Sequence, residues 1–330
     1  MPKQSPIKRK VMYVSWAESC SRSDQTAREL GGQSLLIYLP VLGSHPVTIL
    51  PKYCGQFFMT AFALIRYRPR AVIVMSPPIV AAFAVLIYHL LTGRKFALDC
   101  HTAAFLHPRW NRLQWLQHLI GRRASINIVH NEHLAQLVEQ NGGKTVIVKD
   151  VPVVYESGDT YELSNGPNVT AVCSFNPDEP IGAILDAAKR LPEVQFYLTG
   201  NPKHLSADLA ESLPINVKLT GFVSDSAFGD LLIRSDIVMS LTTRDHTMLR
   251  GAWEAIYQGT PVIVSDWPVL KQAFPLGALH VDNSPEGIAE AVSVCLSDSE
   301  RFRCEADQSR LQRTTRWHQT RDQILRALNV

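Results

Sequence analysis

Continuous apolar runs alternate with helix-like stretches along almost the whole chain, and this alternation constrains the fold more than any other feature. Val11–Trp16 reads as a strand and "SDQTARELGG" as a helix stopped by glycine. "SLLIYL", "AVIVMS", "KFALDCH", "INIVHN" and "TVIVKDVP" repeat the strand type. Between them lie the helical patterns "GQFFMTAFALIRYRP", "IVAAFAVLIYHLLTG", "RWNRLQWLQHLIGRRA" and "EHLAQLVEQNG". Strands that are apolar throughout, rather than at every second residue, are buried on both faces, as in a parallel sheet flanked by helices. Residues 155–168, "YESGDTYELSNGPN", are polar and without period, so they are expected to be a linker. Alternation then resumes from "VTAVCSF" to "PEGIAEAVSVCLSD", and Glu300 to Leu328 is an arginine-rich helix expected to pack back toward the first domain. The expected fold is α/β, with two doubly wound parallel-sheet (Rossmann-like) domains, 1–154 and 169–299, facing across a cleft.

A chain of 330 residues, 46% hydrophobic, can bury two such cores. Its net charge of +3 conceals a split: residues 1–150 hold 18 Lys and Arg against 7 Asp and Glu, the remainder 15 against 23. The first half therefore faces something anionic. Six cysteines without metal spacing fit reduced thiols in a cytosol, and "MPKQSPIKRK" has no apolar run behind it to make a signal peptide. Ala71–Thr92 is long enough to cross a bilayer, but Pro77-Pro78 divides it, so a strand, a turn and a buried helix are expected.

The stretch "RDHTMLRGAWEAIYQGTPVIVSD" (244–266) reads as loop, helix and strand, with Asp245 and Thr247 as candidate caps. Glu254 sits mid-helix beside apolar residues, where an unpaired carboxylate is costly. It either pairs with Arg250 one turn earlier or holds a ligand. Neither half carries GxGxxG after its first strand, and GxxxxGK[ST] is absent, so redox dinucleotides and a phosphate-binding P-loop are poorly supported.

"YLTGN", "NVKLTGFV", "LIRSDIVMSLTT", "GAWEAIYQGTPVIVSD" and "VDNSPEGIAEAV" follow in the order and spacing of nucleotide-sugar glycosyltransferases. The chain resembles the GT-B-fold enzymes of glycosyltransferase family 4, most strongly over 169–297. The first half is similar only in strand–helix order and in "VIVMSPP" and "DCHT". The resemblance implies an acceptor-side first domain and a nucleotide-sugar-binding second domain. Glu254 matches the second acid of the Glu-x(7)-Glu motif, which binds the ribose hydroxyls. The first acid is replaced by His246, preceded by Asp245; either could take over its bond to the sugar, or Asp245 is only a cap.

By the same resemblance Arg244, Gly200 and Asn201 lie on the nucleotide side, and the amides of Thr247, Met248 and Leu249 would meet the pyrophosphate. Arg244 could instead pair with Asp245. Relatives often carry Arg and Lys in the loop after the second domain's first strand, where this chain has Asp178 and Glu179. His101 matches a family histidine near the donor sugar; Asp99 could orient it, and both share one face of their strand. The turn 19–24, "SCSRSD", should line the acceptor side.

These features lead to a sugar transferase using a nucleotide-sugar donor and a glycan or lipid-linked acceptor, with retention and with neither cofactor nor metal. A sugar-nucleotide epimerase of the same fold, or a degenerate non-catalytic subunit, remains open. "HPRWNRLQWLQHLIGRR" (107–123) combines Trp110, Trp115 and four arginines like a helix on an anionic membrane surface, though packing on the sheet would give the same pattern. Nucleic acid is not expected, since no binding motif accompanies the charge.

Overall fold

The structure, a computed structural model, describes residues 11–40, 46–155, 158–245 and 247–330. The chain divides into two compact units, Met1–Val151 with Arg316–Val330, and Pro152–Thr315.

In the first unit β1 (Val11–Ser15), α1 (Ser21–Glu29), β2 (Gln33–Leu36), α2 (Pro46–Tyr67), β3 (Ala71–Ser76), α3 (Ile79–Thr92) and β4 (Lys95–Cys100) alternate as expected. A short α4 (Thr102–Leu106), a 3-10 turn (Pro108–Leu113), α5 (Gln114–Arg123), β5 (Ile126–Val129), α6 (Glu132–Gln140) and β6 (Thr145–Ile147) follow. All strands are parallel, in the order β2-β1-β3-β4-β5-β6. Side chains alternate across the sheet: Met12, Val14, Val74 and Leu98 join a core with α3, α5 and α6. Tyr13, Ile73, Ala97 and Ile128 face the other way, toward α1 and toward Trp317, Ile324 and Leu328 of the last helix. Burial on both faces is what the unbroken apolar runs required.

The second unit holds β7 (Asn168–Ala171), α7 (Ile181–Arg190), β8 (Gln195–Thr199), α8 (Ala207–Glu211), β9 (Val217–Gly221), α9 (Asp225–Arg234) and β10 (Ile237–Ser240). Then come α10 (Arg250–Tyr257), β11 (Val262–Ser265), α11 (Pro268–Ala273), β12 (Ala278–Val281), α12 (Pro285–Ser297) and α13 (Ser299–Leu328), whose last residues belong to the first unit. The parallel sheet runs β12-β11-β10-β7-β8-β9. Strand order reverses between β7 and β10, so the loops leaving these two strands diverge and open a crevice at their carboxyl ends. In the first unit the same reversal falls between β1 and β3.

Two expectations are refined and a third holds. Residues 158–167 are no free tether: Tyr161 N–H donates to Asp230 at 2.8 Å and Ser164 N–H to the Tyr197 hydroxyl at 2.8 Å, both within the second unit. The 107–123 segment is a 3-10 turn followed by α5 rather than one continuous helix. Ile120 is buried, and Trp110, Leu113 and Leu116 pack on the core, leaving only Trp115 and Leu119 of its large apolar residues exposed. Ala71–Thr92 is β3, a turn and the buried α3. Among the described residues no helix is long and apolar enough to cross a membrane.

Candidate functional site

In the second unit the chain leaves β10 and enters α10 beside the start of the loop after β7. A Cβ on Gly251 would lie 2.6 Å from Val172, so glycine lets the first turn of α10 press against the residue that follows β7. The N-cap position is Leu249, with no side-chain cap. Leu249 is buried in the core with Leu232, Ala252 and Phe274, and this burial sets where the helix begins. The expectation that Asp245 or Thr247 caps the helix, with the amides of Thr247, Met248 and Leu249 at its N-terminus, is therefore corrected. The first-turn amides are those of Arg250, Gly251 and Ala252. His246 lies outside the described residues.

Glu254 is 6% exposed. Its Oε1 accepts a hydrogen bond from Arg250 Nε at 2.7 Å, so the i, i+4 pair exists. A carboxylate has about four acceptor positions, and one arginine bond leaves capacity for ribose hydroxyls. Tyr155 stands on the same carboxylate: burial, and then the Glu254 charge and hydrogen bond, push its hydroxyl pKa well above the usual range.

Around the crevice the remaining residues are firmly engaged. Asp178 accepts from the Thr242 hydroxyl at 3.1 Å and its carbonyl from Thr243 N–H at 2.7 Å, stapling the two divergent loops together. Arg244, expected either to clamp phosphate or to pair with Asp245, lies 3.9 Å from Asp178 with its side chain 67% exposed. Glu179 accepts from the amides of Ser174 and Asn176 at 3.0 and 2.8 Å, supplying an anion inside the loop where relatives carry cations. Gly200, at φ +94°, has no room for a side chain, since a Cβ would lie 2.6 Å from the Cys173 carbonyl. Asn201 caps a short 3-10 turn, accepting from Lys203 N–H at 3.1 Å. Both shape the turn that leaves β8.

The first unit gathers a second constellation at the carboxyl ends of its strands. Asp99, 1% exposed, accepts from the Tyr13 hydroxyl, lies 3.5 Å from Arg22 Nε and 3.9 Å from His101 Nε2. The His101 and His130 rings meet edge to face at 5.0 Å. Arg22 Nη2 is 3.2 Å from His130 Nδ1; arginine only donates, so that nitrogen is the acceptor of a neutral ring. Burial first, then the Arg22 charge, pushes the His130 pKa down to about 4. His101 is lowered too, by burial first, with Asp99 opposing. Burial would raise the Asp99 pKa, but Arg22 and the two histidines hold it below the usual carboxylate value. At neutral pH this is an ion pair, Asp99 with Arg22, flanked by two neutral imidazoles. Asp99 Oδ1, His101 Nε2 and Arg22 Nε are buried without hydrogen-bond partners, as at a site prepared for a polar ligand.

Asp99, His101 and His130 also bring ligand atoms within 4.8 Å of one another, the one such trio among the described residues. Arg22 already supplies the cation there, so a divalent ion would meet a fixed positive charge. The trio fits a metal poorly. Sequence reading found Asp99 and His101 and missed Tyr13, His130 and Tyr155. His130 ends its strand as His101 does, and that shared position was the available signal; Tyr13 is mid-strand and is revealed only by its tertiary contact.

Residues 182–328 match the family model described as glycosyl transferase-like. The whole chain superimposes on HepE (Alr3699) of Anabaena, solved with UDP and glucose, at TM-score 0.64 and 15% identity, covering 97% of this chain and 99% of that one. A glycosyltransferase from Rickettsia africae gives 0.65 at 15% identity, covering 97% and 98%. A Listeria monocytogenes protein assigned as a UDP-N-acetylglucosamine 2-epimerase gives 0.58 at 14%, covering 91% of each. The sequence matches none of the curated proteins compared with it. The fold is that of the GT-B glycosyltransferases, and residues 182–328 form a glycosyl transferase-like domain.

Proposed function

We propose that the protein transfers a sugar from a nucleotide-sugar to a lipid-linked or polysaccharide acceptor, with retention and without a metal. The observation that carries this reading is Glu254. It is a buried carboxylate one turn inside the helix that starts at the second sheet's strand-order reversal, and it lies within the glycosyl transferase-like segment. Glu254 would accept both ribose hydroxyls, and charge-assisted bonds of this kind are the stronger ones. The Arg250, Gly251 and Ala252 amides would meet the pyrophosphate at the positive end of the helix, and the exposed Arg244, on the loop that leads into it, would add a cation. Preorganised amides and a cation facing a leaving diphosphate are the main stabilisation such a transfer needs. In the first unit, neutral His101 would hydrogen-bond the sugar or its acceptor, oriented by Asp99.

Uridine diphosphate sugars are the first donors to test, because HepE was solved with UDP-glucose. Purified protein would be incubated with a panel of nucleotide-sugars, with and without EDTA. Acceptor-dependent nucleotide release that survives EDTA supports the proposal, and release abolished by EDTA contradicts its metal-free form. The Listeria structure favours an epimerase reading, which would give an epimerised sugar-nucleotide without an acceptor.

A further inference from the structure

We propose that the outer face of α2, α3 and α5 is a membrane-docking surface for anionic lipid. The helix α2 is inside out. Gln56 and Thr60 are buried, Gln56 donating to the Ile37 carbonyl at 2.9 Å and Thr60 accepting from Trp16 Nε1 at 2.9 Å. Leu50, Phe58, Phe62 and Ile65, spaced to share one stripe, are 61–71% exposed, with Met59 beside them at 44%. An ordinary sheet-packed helix would put its polar residues on that stripe.

The stripe continues sideways. Phe57 touches Phe58 and also Phe83 of α3, with centroids at 5.5 and 6.1 Å. Leu90 and Leu91 of α3 are 61% and 78% exposed, and Trp115 of α5 is 63%. The three helices pack side by side on one face of the sheet, so these side chains project the same way. So large an apolar face marks an interaction site.

Charge selects the partner. From Leu30 to Asn131 the sequence has ten Lys and Arg and one acid, Asp99, which is buried against Arg22 and Tyr13. Arg66, Arg68, Arg94, Lys95, Arg122 and Arg123 are exposed around the ends of the three helices. An apolar face edged by cations at the C-terminal ends of its helices, with no carboxylate on α2, α3 or α5, matches a surface of anionic headgroups over hydrocarbon. Such a face deepens the proposed use of a lipid-linked acceptor, but its test needs neither donor nor acceptor, so either idea can fail alone.

The test is flotation with phosphatidylcholine vesicles with and without roughly a third phosphatidylglycerol. We expect binding to the anionic vesicles at low salt, little to neutral ones, and partial retention at high salt, since apolar insertion is not screened. Phe58→Asp with Phe62→Asp should lower the bound fraction about tenfold or more while the circular dichroism spectrum is kept. Phe58→Ser with Phe62→Ser covers the case in which aspartates unfold the helix. Wild-type protein that ignores anionic vesicles, or folded variants that bind like wild type, would overturn the proposal. So would light scattering showing that the face is closed by a second copy of the chain and that the variants only break that dimer.

Discussion

His101 and His130 differ in what surrounds them, and that difference is measurable. His130 accepts from Arg22 and titrates at about 4, while an unfolded histidine titrates near 6.5. Between those values the unfolded chain binds a proton that the folded chain refuses, so stability falls as pH drops from about 6.5 to about 4. Asp99, whose pKa is lowered, adds stability above the ordinary carboxylate value that is lost as pH falls through its own lower value. Acid should therefore weaken the fold in two steps. His101, also lowered, adds to the upper step, so we expect His130→Asn to reduce that step in melting temperature against pH and spare the lower one; an unchanged upper slope would show that His130 does not titrate this way. His101→Ala should lower kcat roughly 10- to 100-fold, the weight of one hydrogen bond made in the transition state, with little change in donor affinity. A variant of wild-type turnover would leave His101 a structural residue.

At the scale of elements, strands were legible because burial on both faces writes itself as an unbroken apolar run, and both sheets follow from that. Helix starts were less so. The beginning of α10 depends on Leu249 entering a core built from Leu232 and Phe274, which no local cap reveals. Residues 108–113 carry a helical pattern and still form a 3-10 turn, with Trp110 and Leu113 drawn onto the first unit's core. Glu254 was legible through its unusual place in a helix, and its Arg250 partner through i, i+4 spacing; the added hold of Tyr155 comes from 99 residues away and was not. Gly200 gives an element-scale test. It has both a left-handed φ and a carbonyl where a Cβ would stand, so Gly200→Ala should cost about 1–3 kcal/mol, seen as a melting temperature several degrees lower. An unchanged melt would mean that the turns after β7 and β8 are not held this close.

At the scale of the molecule, each unit is a doubly wound sheet with polar groups gathered at its strands' carboxyl ends, and the basic excess belongs to the first. The sequence spoke clearly about that charge, but it drew attention to 107–123, where the apolar residues are half turned inward. The face left uncovered is on α2, whose buried Gln56 and Thr60 gave no sequence warning. Nucleotide binding by the second unit is the claim on which the rest depends, and calorimetry on the wild type and on Glu254→Gln reads it most directly. Glutamine keeps the shape and an acceptor but removes the charge that strengthens two hydroxyl bonds. We expect the wild type to bind at least one nucleoside diphosphate or its sugar, and Glu254→Gln to bind it about tenfold or more weakly, within the 1.5–3 kcal/mol of bonds to a charged group. A folded Glu254→Gln variant with undiminished affinity, or wild-type protein that binds no nucleotide at all, would contradict it.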